Sequence, residues 1–141
     1  MERRPPNELV ELAHAHAKAE ADGDIEATLA TLEDDPVYEL LPIGLTFRGR
    51  PAARRYYEHF FGVFRPTAVG STLRNEWAGD RGVAQEYLID LRSGNGEIER
   101  YSVLAILTFG ERALSGERLY AGERLLRLMF GPVLEDAEPL V

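Results

Sequence analysis

Twelve consecutive residues, Ile98–Phe109 (IERYSVLAILTF), constrain the chain more than any other stretch. They are rich in Val, Leu, Ile, Tyr and Phe, as a strand requires. Val103, Ala105, Leu107 and Phe109 fall on one side of the alternation, and Leu104 and Ile106 on the other. An extended segment of this length spans about 40 Å, which predicts the bent central strand of a curved sheet. Gly110 and Ser115-Gly116 bracket a loop into another strand, closing at 117–121. The apolar period then changes from two to 3.6 at Leu125, Leu126 and Met129, giving a short helix stopped by Gly131-Pro132. A curved sheet with helices across its concave side makes a pocket.

The remaining elements fit around that strand. Asn7 is placed to cap a helix over 8–22 that stops at Gly23, and Asp24 to cap a second over 25–32. Asp34-Asp35-Pro36 ends it, and short strands at 37–41 and 45–47 flank Pro42-Ile43-Gly44. Pro51 stands at the first turn of a third helix, where Ala53, Tyr56, Tyr57, Phe60, Phe61 and Phe64 repeat at helical spacing until Pro66. Strands over 70–78, 83–92, 98–109 and 115–121 follow, the first three joined by Gly79-Asp80-Arg81-Gly82 and Ser93-Gly94-Asn95-Gly96. Gly and Asn tolerate positive φ, so these are hairpins and the strands are antiparallel neighbours. The order α-α-β-α-β-β-β-β-α predicts an α+β roll, a strongly bent antiparallel sheet covered by about three N-terminal helices. One domain, 1–141, accounts for the chain, with its ordered core at 8–132 and a loose acidic tail after it.

Composition narrows the partners. Twenty-four acids against 16 bases give a net charge of −8, and the densest basic run is only Arg48, Arg50, Arg54 and Arg55. A nucleic-acid partner is therefore not expected. No apolar run approaches the roughly 20 residues of a membrane helix. The N-terminus lacks the apolar core of a secretory signal, and there is no cysteine. A cytoplasmic protein with no membrane partner is the expectation. His14 and His16 invite a metal reading, but residues two apart on a helix point about 200° apart. His16 shares a face with Leu9, Leu12 and Ala13, and is expected to be a half-buried interior residue. No serine sits in a Gly-X-Ser-X-Gly turn and no phosphate-cradling glycine loop occurs. No cofactor and no metal is expected.

The element order, with Phe47-Arg48-Gly49-Arg50-Pro51-Ala52-Ala53 opening the aromatic helix, resembles the nuclear transport factor 2-like superfamily. The ending Glu117-Arg118-Leu119-Tyr120-Ala121-Gly122 before a Leu-rich helix is similar to the SnoaL-like polyketide cyclase branch. The resemblance covers 8–132 and implies a cone-shaped roll with a ligand pocket, in a family that includes ketosteroid isomerases, dehydratases, epoxide hydrolases, cyclases and proteins without catalysis. Fold alone does not choose among these. Gly122 stands where many relatives carry the acid that cyclases use. The isomerase base aligns at about Leu40, beside Glu39.

The pocket candidates follow from chemistry. Proton transfer needs a carboxylate in apolar surroundings that raise its pKa toward working pH. Among acids inside strands, Glu117 and Glu86 are the first choices and Glu39 the third, with Arg118 or Arg100 as their alternative salt-bridge partners. Tyr38, Tyr57, Trp77, Tyr101 and Tyr120 offer apolar faces with polar tips to a small apolar organic ligand. Tyr57 or Tyr101 is the expected donor to a substrate oxygen. A homodimer through the outer sheet face is expected, because the long strand is apolar on both sides and helices cover only one.

Overall fold

A computed structural model describes residues 3–140. It gives α1 (Pro6–Asp22), α2 (Ile25–Leu29), β1 (Leu32–Leu41), β2 (Leu45–Arg48) and α3 (Arg50–His59). The second half contains β3 (Ala68–Ala78), β4 (Gly82–Arg92), β5 (Ile98–Phe109), β6 (Leu114–Tyr120), α4 (Glu123–Phe130) and β7 (Glu138–Pro139). Seven strands form one sheet in the order β3-β4-β5-β6-β1-β2-β7. Every pairing is antiparallel except β1 with β6, because the chain leaves β2, crosses over through α3 and the meander, and returns beside β1 in the same direction.

The long strand occupies its expected span and runs between β4 and β6. Val103, Ala105 and Leu107 face the helices, while Leu104 and Ile106 remain half-buried on the outer side. Helix α3 is shorter than its aromatic repeat suggests. At Phe60 the backbone widens into one wide turn, Phe60–Phe64, then tightens over Arg65–Thr67 around Pro66, which has no N–H to continue a helix. The stripe still packs inward: Tyr56 stacks on Phe130 of α4 with ring centroids 4.1 Å apart, and Phe60 stacks on Phe64 at 5.4 Å. Phe64 is buried; Phe60 and Phe61 are half-buried.

Three boundaries differ from expectation. Helix α1 starts one residue before the expected Asn7 cap, with Pro5 at its N-cap and Pro6 in its first turn. Strand β1 begins at Leu32 and carries Pro36 within it, so α2 ends early. The tail is not loose up to residue 140. Gly131–Asp136 forms a tight helical turn that buries Val133, and Glu138–Pro139 adds a short edge strand to β2. An apolar anchor outweighs the acidic composition there.

One glycine positions the site. In β6, Gly116 has φ +141°, and a Cβ there would lie 1.8 Å from the Val37 carbonyl oxygen. The close approach of β1 and a bulge at Ser115 let Leu114, Glu117 and Leu119 all turn to the interior.

Candidate active site

Helix α1 lies across β4, β5 and β6, and presents His16 and Glu20, one turn apart, to the sheet. Opposite them stands Glu117 of β6, 4 % exposed and without an arginine partner among the described residues. Tyr57 of α3 completes the cluster. Its hydroxyl donates to Glu117 Oε2 at 3.1 Å and lies 3.1 Å from His16 Nε2. Tyr38 of β1, fully buried, places its hydroxyl 2.6 Å from that of Tyr57. Since Tyr57 gives its single hydrogen to Glu117, Tyr38 donates to Tyr57.

The histidine tautomer follows from its other nitrogen. His16 Nδ1 is 2.7 Å from Thr31 Oγ1, and the Thr31 hydroxyl donates to the Thr28 carbonyl at 2.7 Å. Thr31 therefore accepts, Nδ1 carries a hydrogen, and Nε2 is the atom turned to the acids. Nε2 is 3.5 Å from Glu117 Oε2 and 3.6 Å from Glu20 Oε1.

Burial sets the protonation. Desolvation pushes the Glu20 carboxyl up to about 8; His16 opposes this and the Glu117 charge adds to it. Burial alone would lower the His16 pKa, but Glu20 and Glu117 outweigh it and the net shift is upward. Desolvation, reinforced by the same carboxylates, holds the phenols of Tyr38 and Tyr57 far above their usual range. Burial thus biases Glu20 toward its protonated form and keeps both phenols as donors, Tyr38 to Tyr57 and Tyr57 to Glu117. His16, Glu20 and Glu117 each bring a ligand-type atom within 4.8 Å of the others. The Tyr57 hydroxyl already bridges Nε2 and Glu117, and every buried side-chain polar atom among the described residues has a hydrogen-bond partner. Tyr57 thus ties the histidine of α1 and the acid of β6 into one hydrogen-bonded network.

The network opens on a cavity of about 640 Å³. Glu20 and Glu117 line it, with Phe60, Phe64, Ile89, Val103, Leu119 and Met129 as the apolar wall. Tyr87 of β4 also lines it and donates to Gln85 at 3.0 Å; Gln85 in turn donates to Glu76, which His14 meets at 2.8 Å. Burial, then Glu20 and Glu117, push the Tyr87 phenol up to about 12. A wider hollow of about 1420 Å³ passes the N-terminal residues, Trp77 and Arg81, and of the cluster only Glu117 reaches it.

The structure brings together three of the sequence candidates, Glu117, Tyr57 and Tyr38. It separates the others. Glu86 is on the outer face, accepting from Asn75 at 2.6 Å, because β4 turns Val83, Gln85 and Tyr87 inward instead. Glu39 is also outward, 3.5 Å from Arg118, while its neighbours Tyr38 and Leu40 are buried. Trp77 is 56 % exposed on the outer face, opposite Ala84. Tyr120 is outward and accepts from Arg118 at 3.0 Å. Tyr101 faces the helices but binds Glu99 and Arg124, away from Glu117. Arg100, offered as a partner for Glu86 or Glu117, pairs with Asp90. His16 is buried fully, not half. Glu20 was legible only through its i, i+4 spacing from His16; the His14/His16 pair drew attention to the wrong neighbour.

No protein-family model matches the chain, and a search of curated proteins finds no match. Solved structures do match. A protein from a soil-derived mobile gene cassette aligns at a TM-score of 0.70 and 14 % identity, over 89 % of this chain and 97 % of that one. An NTF2-like protein of unknown function from Cytophaga hutchinsonii aligns at 0.68 and 15 %, over 81 % and 99 %. A provisionally assigned ketosteroid isomerase from Kribbella flavida aligns at 0.64 and 19 %, over 80 % and 76 %. The chain has the nuclear transport factor 2-like fold, an α+β cone. No helix among the described residues is long and apolar enough to cross a membrane.

Proposed function

We propose that this protein binds a largely apolar small molecule in the cone and moves a proton on it without a cofactor, in isomerase-type chemistry. The observation that carries this is the pair of acids, Glu20 on α1 and Glu117 on β6, at one end of an apolar cavity. Glu117 accepts a hydrogen bond from Tyr57, whereas burial pushes the Glu20 carboxyl up to about 8, and both line the cavity. A base and an acid at one site are what enolisation requires: Glu117 removes the proton beside a carbonyl, and Glu20 donates a hydrogen bond to the oxygen as charge develops there. Tyr57 positions Glu117 through its hydrogen bond and is itself held by Tyr38 and His16. A neighbour of similar fold bearing the isomerase description supports the reading as an analogy. Gly122, where cyclases carry an acid, weighs against the SnoaL-like cyclase variant.

A second reading, a binding module without turnover, is favoured by one fact: Glu117 Oε2 already accepts a hydrogen bond from Tyr57 inside the protein. A screen of the wild type against isomerase, dehydratase, epoxide-hydrolase and cyclase substrates separates the two. Turnover of a ketone, lost in Glu117→Gln, supports the first; binding with no turnover of any of them supports the second.

We further propose a homodimer through the outer sheet face. Trp77, Ala84 and Ile106 align there across β3, β4 and β5, beside Leu104 and Tyr120.

A further inference from the structure

Arg65 is the single cation among the residues lining the cavity. It stands on the tight turn after α3, at the end of α1, and none of the described carboxylates pairs with it. Its seat is built. One Nη2 hydrogen goes to the Ala21 carbonyl at 2.5 Å, and the guanidinium lies 5.8 Å from the Phe61 ring centroid. Gly23, with φ +72°, leaves the space it fills, since a Cβ there would lie 2.5 Å from Arg65 Nη1. A guanidinium has five N–H donors, so holding one carbonyl fixes the fork and leaves donors for another acceptor. Glu20 sits one residue from Ala21, yet its near neighbour is His16 at 3.6 Å, and none of the ion pairs among the described residues joins it to Arg65. The cationic position and the acid pair are therefore distinct places in one cavity, with Phe60, Phe64, Ile89 and Val103 among the wall residues they share.

We propose that Arg65 is an anion subsite and that the ligand is an amphipathic carboxylic acid. Its carboxylate lies on Arg65, its apolar body on the Phe60–Phe64 wall, and its reacting end at Glu20 and Glu117. The substrate class is then an apolar oxo-acid, which rests on the proton-transfer reading for its carbonyl but not for its carboxylate. A protein of net charge −8 repels anions at long range, so an unpaired arginine inside such a cavity is a local selectivity element.

The test uses 5-(2-naphthyl)pentanoic acid with the matching alcohol and amine, followed by naphthyl fluorescence and isothermal titration. The wild type is expected to bind the acid at least tenfold more tightly than the alcohol, and the amine most weakly. Arg65→Gln should remove the acid's advantage and leave the alcohol unchanged, while Arg65→Lys should keep part of it. Should Arg65→Gln fold poorly, the salt dependence of the wild type decides, because an ion-paired acid weakens with salt and the alcohol does not. Equal binding of acid and alcohol by the wild type, or an acid preference surviving in Arg65→Gln, overturns the subsite. Failure of the proton-transfer reading looks different: the acid binds through Arg65, but no ketone is turned over.

Discussion

Tyr57 donates to Glu117 across 3.1 Å while lying 3.1 Å from His16, so one phenol joins the acid on the sheet to the histidine on α1. Replacing it by Phe removes the hydrogen bond but keeps the ring. Tyr57→Phe is expected to cost about 1–3 kcal/mol of stability, because a buried carboxylate loses a donor. Chemical denaturation measures it; an unchanged midpoint would mean that Glu117 finds another donor.

The raised pKa of Glu20 makes stability depend on pH with a definite sign. A carboxyl whose folded pKa is about 8 against an ordinary 4.5 binds its proton more tightly when folded. Its contribution is complete below about 4.5 and is lost as pH rises to about 8. His16, also raised, acts in the same direction above its ordinary 6.5. Glu20→Gln should flatten the slope and be more stable than wild type at pH 9, by on the order of 2 kcal/mol. Melting curves from pH 5 to 9 check this.

Truncations of the aromatic stripe should separate core from cavity wall. Phe64 is 4 % exposed, and Phe64→Ala should cost about 3–5 kcal/mol. Phe60 is half-buried and lines the cavity, so Phe60→Ala should cost less and enlarge the ligand space. Equal losses would place Phe60 in the core.

Gly116→Ala should be severely destabilising, since its Cβ would meet the Val37 backbone and its φ is unfavourable for any other residue. The loss should exceed that of Gly94→Ala, where a Cβ meets nothing within 4 Å. Parallel urea titrations of the two variants decide it.

The proposed dimer predicts twice the 15.8 kDa chain mass by light scattering at micromolar concentration. Trp77→Glu should shift it to monomer, and a monomeric wild type contradicts it.

How much of this was legible in the sequence differs by element. The long strand and the hairpins were readable because alternation and turn glycines act locally: β5 keeps its full span, and Gly79 to Gly82 joins β3 to β4. The parallel β1–β6 pair was not, since it joins residues distant in sequence. The site was half readable. Glu117 stood out as a strand acid beside Arg118 and Tyr120, but whether Glu39 and Glu86 point in or out depends on strand register, and a single residue of offset reverses the face. The bulge at Ser115 is such an offset in β6, and Ser115-Gly116 reads in the sequence as the end of a loop rather than as a bulge within the strand. Glu20 and His16 were hidden because their partner lies on a strand about a hundred residues later, and burial against it gives them their chemistry.

The central claim is that Glu117 takes a carbon-bound proton from a ligand held in the cone. The most direct measurement is deuterium uptake from D₂O at the α-carbon of an apolar ketone such as 2-tetralone, followed by NMR with wild type and Glu117→Gln. The account predicts uptake well above the buffer rate with wild type. It predicts a loss on the order of 10²–10⁴-fold in the variant, with the fold intact by circular dichroism. Uptake at the buffer rate with wild-type protein and bound ketone, or undiminished uptake with Glu117→Gln, would contradict it.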